Sequence, residues 1–428
     1  MVTTSPAPPA ASGEEPRGER AQAGPARAGT PSGRHEQLRR EVRKWAREEV
    51  APRVAAMEAS QEVDRELLAA AARKGWIGVT IGPEFGGMGL DHTARTIVIE
   101  ELSRVSGAVG AAVQASILGT AKIIHWGSAE QRRVWLPLVA SGACLPTIAV
   151  TEGGSGGHVL GMRATARRDG TDWVINGAKS FVGNSHVATM HGVVVRTGGA
   201  GARALSAFLV PAGTPGLSLR PHPATLGLHG FSFGDLVFEE CRVPADAMVG
   251  AEGDGLEVAL SSSILYGRPN LAAVALGIHR AISEATIAYA GETRRYGRPL
   301  ADLDSVRTKI AAIASHLTTA RTLAYQAVAM LDQGLPCDIE LMNAKLVGAE
   351  LGTRSALLGM QVHGAAGLRT GRPVERLLRD MLHTGPPAGT SDIQLLRIGQ
   401  DALGQAPYEQ MSVRFGRPPA APPRGGAA

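Results

Sequence analysis

Two changes in hydrophobic period constrain this chain more than any single motif. Apolar residues recur at helical spacing up to about residue 144, break into short runs from there to about 243, and return to helical spacing from about 255. The middle runs are 148–150, 162–168, 173–175, 192–196, 205–210, 217–220 and 234–238. Asp169-Gly170, Asn176-Gly177, Thr197-Gly198-Gly199 and Thr214-Pro215-Gly216 punctuate them as turns. Short strands at this spacing predict a small β-sandwich or β-barrel. The expected class is therefore α+β, with an N-terminal helical domain over 34–144, a central β domain over 145–252 and a C-terminal helical bundle over 253–412. A chain of 428 residues is long enough to bury the cores this order requires.

The helical parts carry their own punctuation. Leu38, Val42, Trp45, Val50, Val54 and Met57 mark one helical stretch over 35–73, ended by Gly75-Trp76-Ile77-Gly78-Val79. Helices follow over 92–105 and 108–126, and Ser128-Ala-Glu-Gln131 is a capping box for another through Val139. The bundle helices are expected over 256–290, 305–333, 338–364, 372–383 and 392–403. Residues 1–33 and 413–428 are rich in Pro, Ala and Gly and poor in large apolar side chains. They cannot bury enough surface to offset the entropy of ordering and are expected to be disordered tails.

Composition narrows the function. The formal charge is +5, but the positive residues are scattered among acids, without the basic face that nucleic-acid binding needs. Cys144, Cys241 and Cys337 are far apart in sequence, which suits a reducing cytosol better than a disulfide framework or a metal site. No run reaches the eighteen or so apolar residues of a spanning helix, and the N-terminus has no signal core, so a cytoplasmic protein without membrane contact is expected. Pro83-Glu-Phe-Gly-Gly-Met-Gly89 lacks the spacing and strand-to-helix context of a dinucleotide loop.

Near the C-terminus Gly385-Pro386-Pro387 must end one helix, and Thr390, Ser391 and Asp392 supply N-cap chemistry for the next. Such a terminus favours anions. Taken locally it is a helical turn. Four stretches change its meaning: Ala149-Val-Thr-Glu-Gly-Gly-Ser-Gly-Gly157, Trp173-Val-Ile-Asn-Gly-Ala-Lys-Ser-Phe-Val-Gly-Asn-Ser185, Arg295-Tyr-Gly-Arg-Pro-Leu300, and Gln361-Val-His-Gly-Ala-Ala-Gly367 running on to Pro373-Val-Glu-Arg-Leu-Leu-Arg-Asp380 and Gly389-Thr-Ser-Asp-Ile-Gln394. In this order and at these separations the chain resembles the acyl-CoA dehydrogenase family over roughly residues 35–405.

The resemblance implies a helical domain, a β domain and a four-helix bundle, with FAD between the last two and a homotetramer or homodimer as the assembly. It implies oxidation of an acyl thioester, on CoA or an acyl carrier protein, with an electron-transfer flavoprotein or O₂ as acceptor. It places Val150, Thr151, Phe181 and Gly183 at the flavin ring. It places Arg294 and Tyr296 at a neighbouring subunit's FAD, the family's usual arginine position being Thr293 here. Gln361, Gly364 and Ala365 resemble the adenosine turn, and Thr390 and Asp392 the residues near phosphate and ribose. Gly157, Arg268, Ala388 and Gly389 fall on the substrate side, with glycine at 157 where the family has a serine.

One departure stands out. The family's catalytic glutamate directly precedes Gly-Thr-Ser, and that position is Ala388; the base of a minority of members falls at Gly267. Neither residue can accept a proton. His383, Tyr266, and Glu100 or Glu101 are the candidate replacements. The alternative is a substrate that needs no base, as in oxidative decarboxylation or flavin monooxygenation, of the kind found among relatives in bacterial specialised metabolism. A further alternative is a non-catalytic FAD-binding subunit.

Overall fold

The computed structural model describes residues 33–221, 223–406 and 409–415. The first expected tail therefore lies, but for Gly33, outside the described residues. The N-terminal part consists of α1 (Gly33–Trp45), α2 (Val54–Ser60), α3 (Arg65–Arg73), α4 (His92–Val105), α5 (Gly107–Trp126) and α6 (Ala129–Ala140). The continuous helix expected over 35–73 is broken into three. A π turn at Ala46–Val50 and a 3-10 turn at Ala51–Arg53 interrupt it around Pro52, which lacks the N–H that an α-helix needs. Gln61 then turns left-handed, with φ 60°, and Asp64 caps α3 by accepting from Leu67 N. Ser106 alone joins α4 to α5, and its side chain caps α5. Both halves of the Ser128–Gln131 capping box form. Gln131 Nε2 also donates to the Asp246 and Met248 carbonyls at 2.7 and 2.8 Å, tying α6 to the sheet.

The central strands are β1 (Pro146–Ala149), β2 (Thr165–Asp169), β3 (Asp172–Gly183), β4 (Met190–Arg196), β5 (Leu205–Pro211), β6 (Leu217–Leu219), β7 (Phe233–Val243) and β8 (Met248–Val249). They run β6-β7-β3-β2-β4-β5-β8, with β1 parallel to β4. The result is a mixed, open sheet rather than a closed barrel. Two leaves, β6-β7-β3-β2 and β4-β5-β8 with β1, meet at a single parallel pair, Thr165 with Arg196. The long pairing of β3 with β7 is bent by register shifts at Ile175/Gly177 and Lys179/Val182, and bulges of this kind re-aim a strand.

The bundle contains α7 (Gly255–Ser262), α8 (Arg268–Glu292), α9 (Asp304–Asp332), α10 (Asp338–His363), α11 (Pro373–Leu382) and α12 (Ser391–Ala402), and α13 (Met411–Phe415) docks beside it. The second tail was expected from 413, yet residues 413–415 belong to α13. Asp338 accepts from Met411 N and Ser412 N, both at 2.8 Å, and the Phe415 ring lies 5.2 Å from His125 and 5.3 Å from Trp126.

Between sheet and bundle lies α5. A Cβ on Gly119 would fall 2.4 Å from the Pro146 carbonyl oxygen, so only glycine lets β1 approach this closely. Two stretches, Gly107–Trp126 and Gly255–Glu292, are long and apolar enough to cross a membrane, contrary to the sequence reading. Their most apolar windows are 89% and 67% buried inside the protein. They are apolar all round because they pack on more than one face.

Candidate active site

Helix α5 is the ruler along which the site is laid out. Ala115 and Leu118 are neighbours on its surface, three residues apart. A Cβ on Gly183, at the end of β3, would lie 3.4 Å from Ala115 Cβ and 3.0 Å from the Phe231 ring. A Cβ on Gly267 would lie 3.8 Å from Leu118 Cδ1 and 3.2 Å from Ala388 Cβ. The two positions to which the resemblance assigns a base therefore face each other, beside the helix face that also meets β3. On the far side a Cβ on Gly157 would touch Ile393 at 3.2 Å, and one on Gly389 would touch Ile393 at 3.4 Å and Gln394 at 3.1 Å. Gly157, Gly183, Gly267, Ala388 and Gly389 thus form a run of small residues where β3, α5, α8 and α12 converge.

Local chemistry explains both halves of the base position. Residues Ser263–Gly267 form one π turn between α7 and α8. Such a turn lifts a carbonyl out of the helical ladder, and Arg95 Nη2 donates to Leu265 O at 3.0 Å. Opposite, Gly385-Pro386-Pro387 ends α11, and Ala388 and Gly389 take φ of 54° and 98°. Alanine in this region is strained. The break is held from two sides: Lys345 Nζ donates to the carbonyls of Gly385 and Gly389, the latter at 2.7 Å, while Gln394 Nε2 donates to those of Ala388 and Gly389 at 3.1 and 3.2 Å. Thr390 Oγ1 caps α12 by accepting from Ile393 N at 3.4 Å, and Asp392 is exposed. Burial, reinforced by the like charge of Arg268, draws the Lys345 amine down to about 8. Arg268 is itself buried. The sequence reading missed Lys345. Its signal is a lysine in the buried phase of α10, where Leu341, Ala344, Gly348 and Ala349 are also buried.

On the sheet side, Lys179 is fully buried and donates to Val150 O at 3.0 Å and Glu152 Oε1 at 2.8 Å. Glu152 also accepts from Arg163 N and Ala164 N, and Thr151 O accepts from Ser180 N. These bonds fix the strand end while leaving the loop after it open: Cβ atoms on Gly153, Gly154 or Gly156 would meet nothing within 4 Å. Phe181 stands beside this loop's strand at φ 57°, 57% exposed, its ring 5.6 Å from that of Phe233. An open glycine loop with an exposed aromatic ring on the adjoining strand fits a planar, polar-edged cofactor.

The remaining candidates form a second group. Helix α8 ends in a hairpin pairing Arg294–Arg295 with Arg298–Pro299. Its two central residues, Tyr296 and Gly297, have φ 51° and 77°, as a tight hairpin turn requires. Arg294 bonds only locally, to Gly297 O at 2.7 Å, and Tyr296 is 91% exposed. Gln361, Gly364 and Ala365 are exposed at the end of α10, where the His363 ring stacks on Tyr289 of α8 at 4.2 Å.

The replacement bases do not reach the gap between Gly267 and Ala388 in a usable form. Backbone N–H of Gly227 donates to His383 Nε2 at 3.0 Å, on the sheet side of α11, and burial lowers the imidazole pKa. Tyr266 points away from Gly267 into the core, stacked against the Arg95 guanidinium at 4.4 Å, and burial raises its hydroxyl pKa. Glu100 and Glu101 belong to an ion-pair seam between α1, α4 and the bundle. Glu100 accepts from Arg39, Arg321 and Tyr325, and Glu101 from Arg39, Arg43 and Arg280. Burial alone would raise the Glu101 carboxyl, but hydrogen bonds from Arg43 and Arg39 hold it down at about 2.

Comparison with known proteins bears on the family and the fold as a whole. Models of the acyl-CoA dehydrogenase N-terminal, middle and C-terminal domains match residues 32–143, 147–241 and 253–403. An acyl-CoA dehydrogenase of Bacillus subtilis (strain 168) is 34% identical over 369 residues, covering 86% of this chain and 97% of that protein. The solved structure of a Bacillus anthracis acyl-CoA dehydrogenase complexed with FAD superposes with a TM-score of 0.84 at 27% identity, over 88% of this chain and 67% of that one. The prolyl acyl carrier protein oxidase AnaB gives 0.83 at 25% identity, over 87% and 99%.

Proposed function

The chain belongs to the acyl-CoA dehydrogenase family, and on that premise we propose that it is an FAD-dependent oxidoreductase of an acyl thioester that works without a carboxylate base. The observation that carries this reading is the gap itself: Gly267 and Ala388 face each other, and the candidate acids Glu100 and Glu101 are held by arginines in another seam. Bound FAD supplies a two-electron acceptor at the flavin ring. Val150, Thr151 and the Gly153–Gly156 loop would hold the ring's edge, with Phe181 flanking it. Lys345 and Gln394 keep the 385–389 break in place, and Gly157 and Gly389 let a thioester approach the backbone closely. Arg268 adds positive charge to the same end of α8.

The second group, Arg294, Tyr296, Gln361, Gly364 and Ala365, would complete the FAD site of a neighbouring subunit in a homodimer or homotetramer. Support comes from the exposure of Tyr296 and Leu368, large apolar residues at that end of the bundle. The three buried free cysteines suit a cytoplasmic setting.

Without a base at 267 or 388, no side chain among the described residues is placed to take an α proton there. A substrate that forms its own carbanion or enolate, by losing a carboxylate or by already being acidic, needs none. This favours oxidative decarboxylation or oxygenation over simple desaturation, in specialised rather than central metabolism, with the acyl group on CoA or a carrier protein. Anaerobic mixing of the FAD-loaded protein with acyl-CoA, carrier-bound acyl and β-keto acyl substrates tests it. Bleaching by the self-ionising substrates and not by saturated acyl-CoA is the expected result. Failure to bind FAD, or no bleaching by any thioester, would overturn it, the latter in favour of a non-catalytic FAD-binding subunit.

A further inference from the structure

The helix pair that presents the gap has a second rung. Leu118 of α5 lies beside Gly267, and one turn along, Gln114 lies beside Asn270 of α8, whose Nδ2 donates to the Gln114 carbonyl at 3.4 Å. The pairing 118 with 267 and 114 with 270 makes the helices antiparallel here. It also puts both amides on the faces that flank the gap, about 5 Å from it, the rise of roughly one turn. Asn270 is 1% exposed and Gln114 7%. With Asn270 Nδ2 turned to a carbonyl, its Oδ1 cannot take that place without setting two acceptors together. Among the described residues, neither Asn270 Oδ1 nor Gln114 Oε1 has a donor. Buried acceptors are almost always satisfied, and here two belong to facing residues of the helix pair that lines the gap.

We infer that Gln114 and Asn270 form a recognition subsite for an acyl group that carries a hydroxyl or amine donor within about one helical turn of its reacting carbons. The inference rests on the reading that the gap receives an acyl thioester. A plain alkyl chain would bury both oxygens against methylene groups. A substrate O–H or N–H satisfies at least one of them and fixes the acyl group along α5.

The test is equilibrium binding by calorimetry to the FAD-loaded full-length protein, with butyryl-CoA, both enantiomers of 3-hydroxybutyryl-CoA, and β-alanyl-CoA as probes. At least one donor-bearing thioester is expected to bind 10- to 100-fold more tightly than butyryl-CoA, the range set by leaving a buried acceptor unsatisfied. Asn270→Leu and Gln114→Met, of similar volume, should each lose most of that preference while keeping or gaining butyryl-CoA affinity. Gln114→Glu, which keeps an acceptor, should retain the preference for β-alanyl-CoA and guards against a variant that merely folds poorly. Equal binding of all probes, or equal weakening of all by the variants, overturns the inference and leaves the proposed function standing. Binding of no thioester overturns both.

Discussion

Two regions of this molecule could have held a general base, and they are opposites. The seam between α1, α4 and the bundle is crowded with charge. Glu100 and Glu101 are fully buried there, and their oxygens are taken by Arg39, Arg43, Arg280, Arg321 and Tyr325. The gap between α8 and the 385–389 break has no acid at either family position, only Gly267 and Ala388. A carboxylate held at about 2 by several arginines is a poor proton acceptor near neutral pH. The seam is architecture; on the proposed function, the gap is where a carboxylate base would otherwise stand.

The sharpest way to break this comparison is to disturb the seam. Glu101→Ala removes the carboxylate that Arg39, Arg43 and Arg280 share, leaves the seam with excess buried positive charge and should destabilise the protein by about 3–5 kcal/mol; denaturant unfolding measures it. A rate change with unaltered stability would instead place Glu101 in the chemistry. Smaller is the effect of Lys345→Met, which leaves the Gly385 and Gly389 carbonyls short of a donor. A loss of about 1–3 kcal/mol is expected, with weaker thioester binding and unchanged FAD affinity, checked by calorimetry.

A pH titration sharpens the same contrast. The Glu101 carboxyl lies below its unfolded value, so its contribution to stability is present above about pH 5 and is lost as pH falls toward 2. Melting temperature should fall over that window, and Glu101→Gln should flatten the slope. The smallest effect belongs to Ala388→Gly. Glycine relieves the left-handed strain at φ 54° but costs more entropy to order, so stability should move by less than about 1 kcal/mol.

Much of this was legible in the sequence because it depends on local periodicity and caps. The capping box at Ser128, the start of α4 after Asp91 and the proline-enforced end of α11 follow from neighbouring residues alone. Sheet closure was not legible: whether two leaves join into a barrel or meet at one pair is decided by residues as distant as Thr165 and Arg196. Pro52 and Gln61 broke a helix that apolar spacing alone ran together. At the site, the motif stretches located Ala388 and Gly267 separately, but only the fold sets them face to face. Lys345 and the Gln114–Asn270 rung escaped notice because their meaning lies in what they touch across helices.

The most direct measurement is the rate of anaerobic flavin bleaching by saturating butyryl-CoA in the native protein and in Ala388→Glu. The space left by Gly267 should accommodate the new side chain, and a positioned carboxylate should raise the rate about 10²–10⁴-fold. A native protein that bleaches with butyryl-CoA as fast as the glutamate variant would contradict the account, because a working base would then already be present.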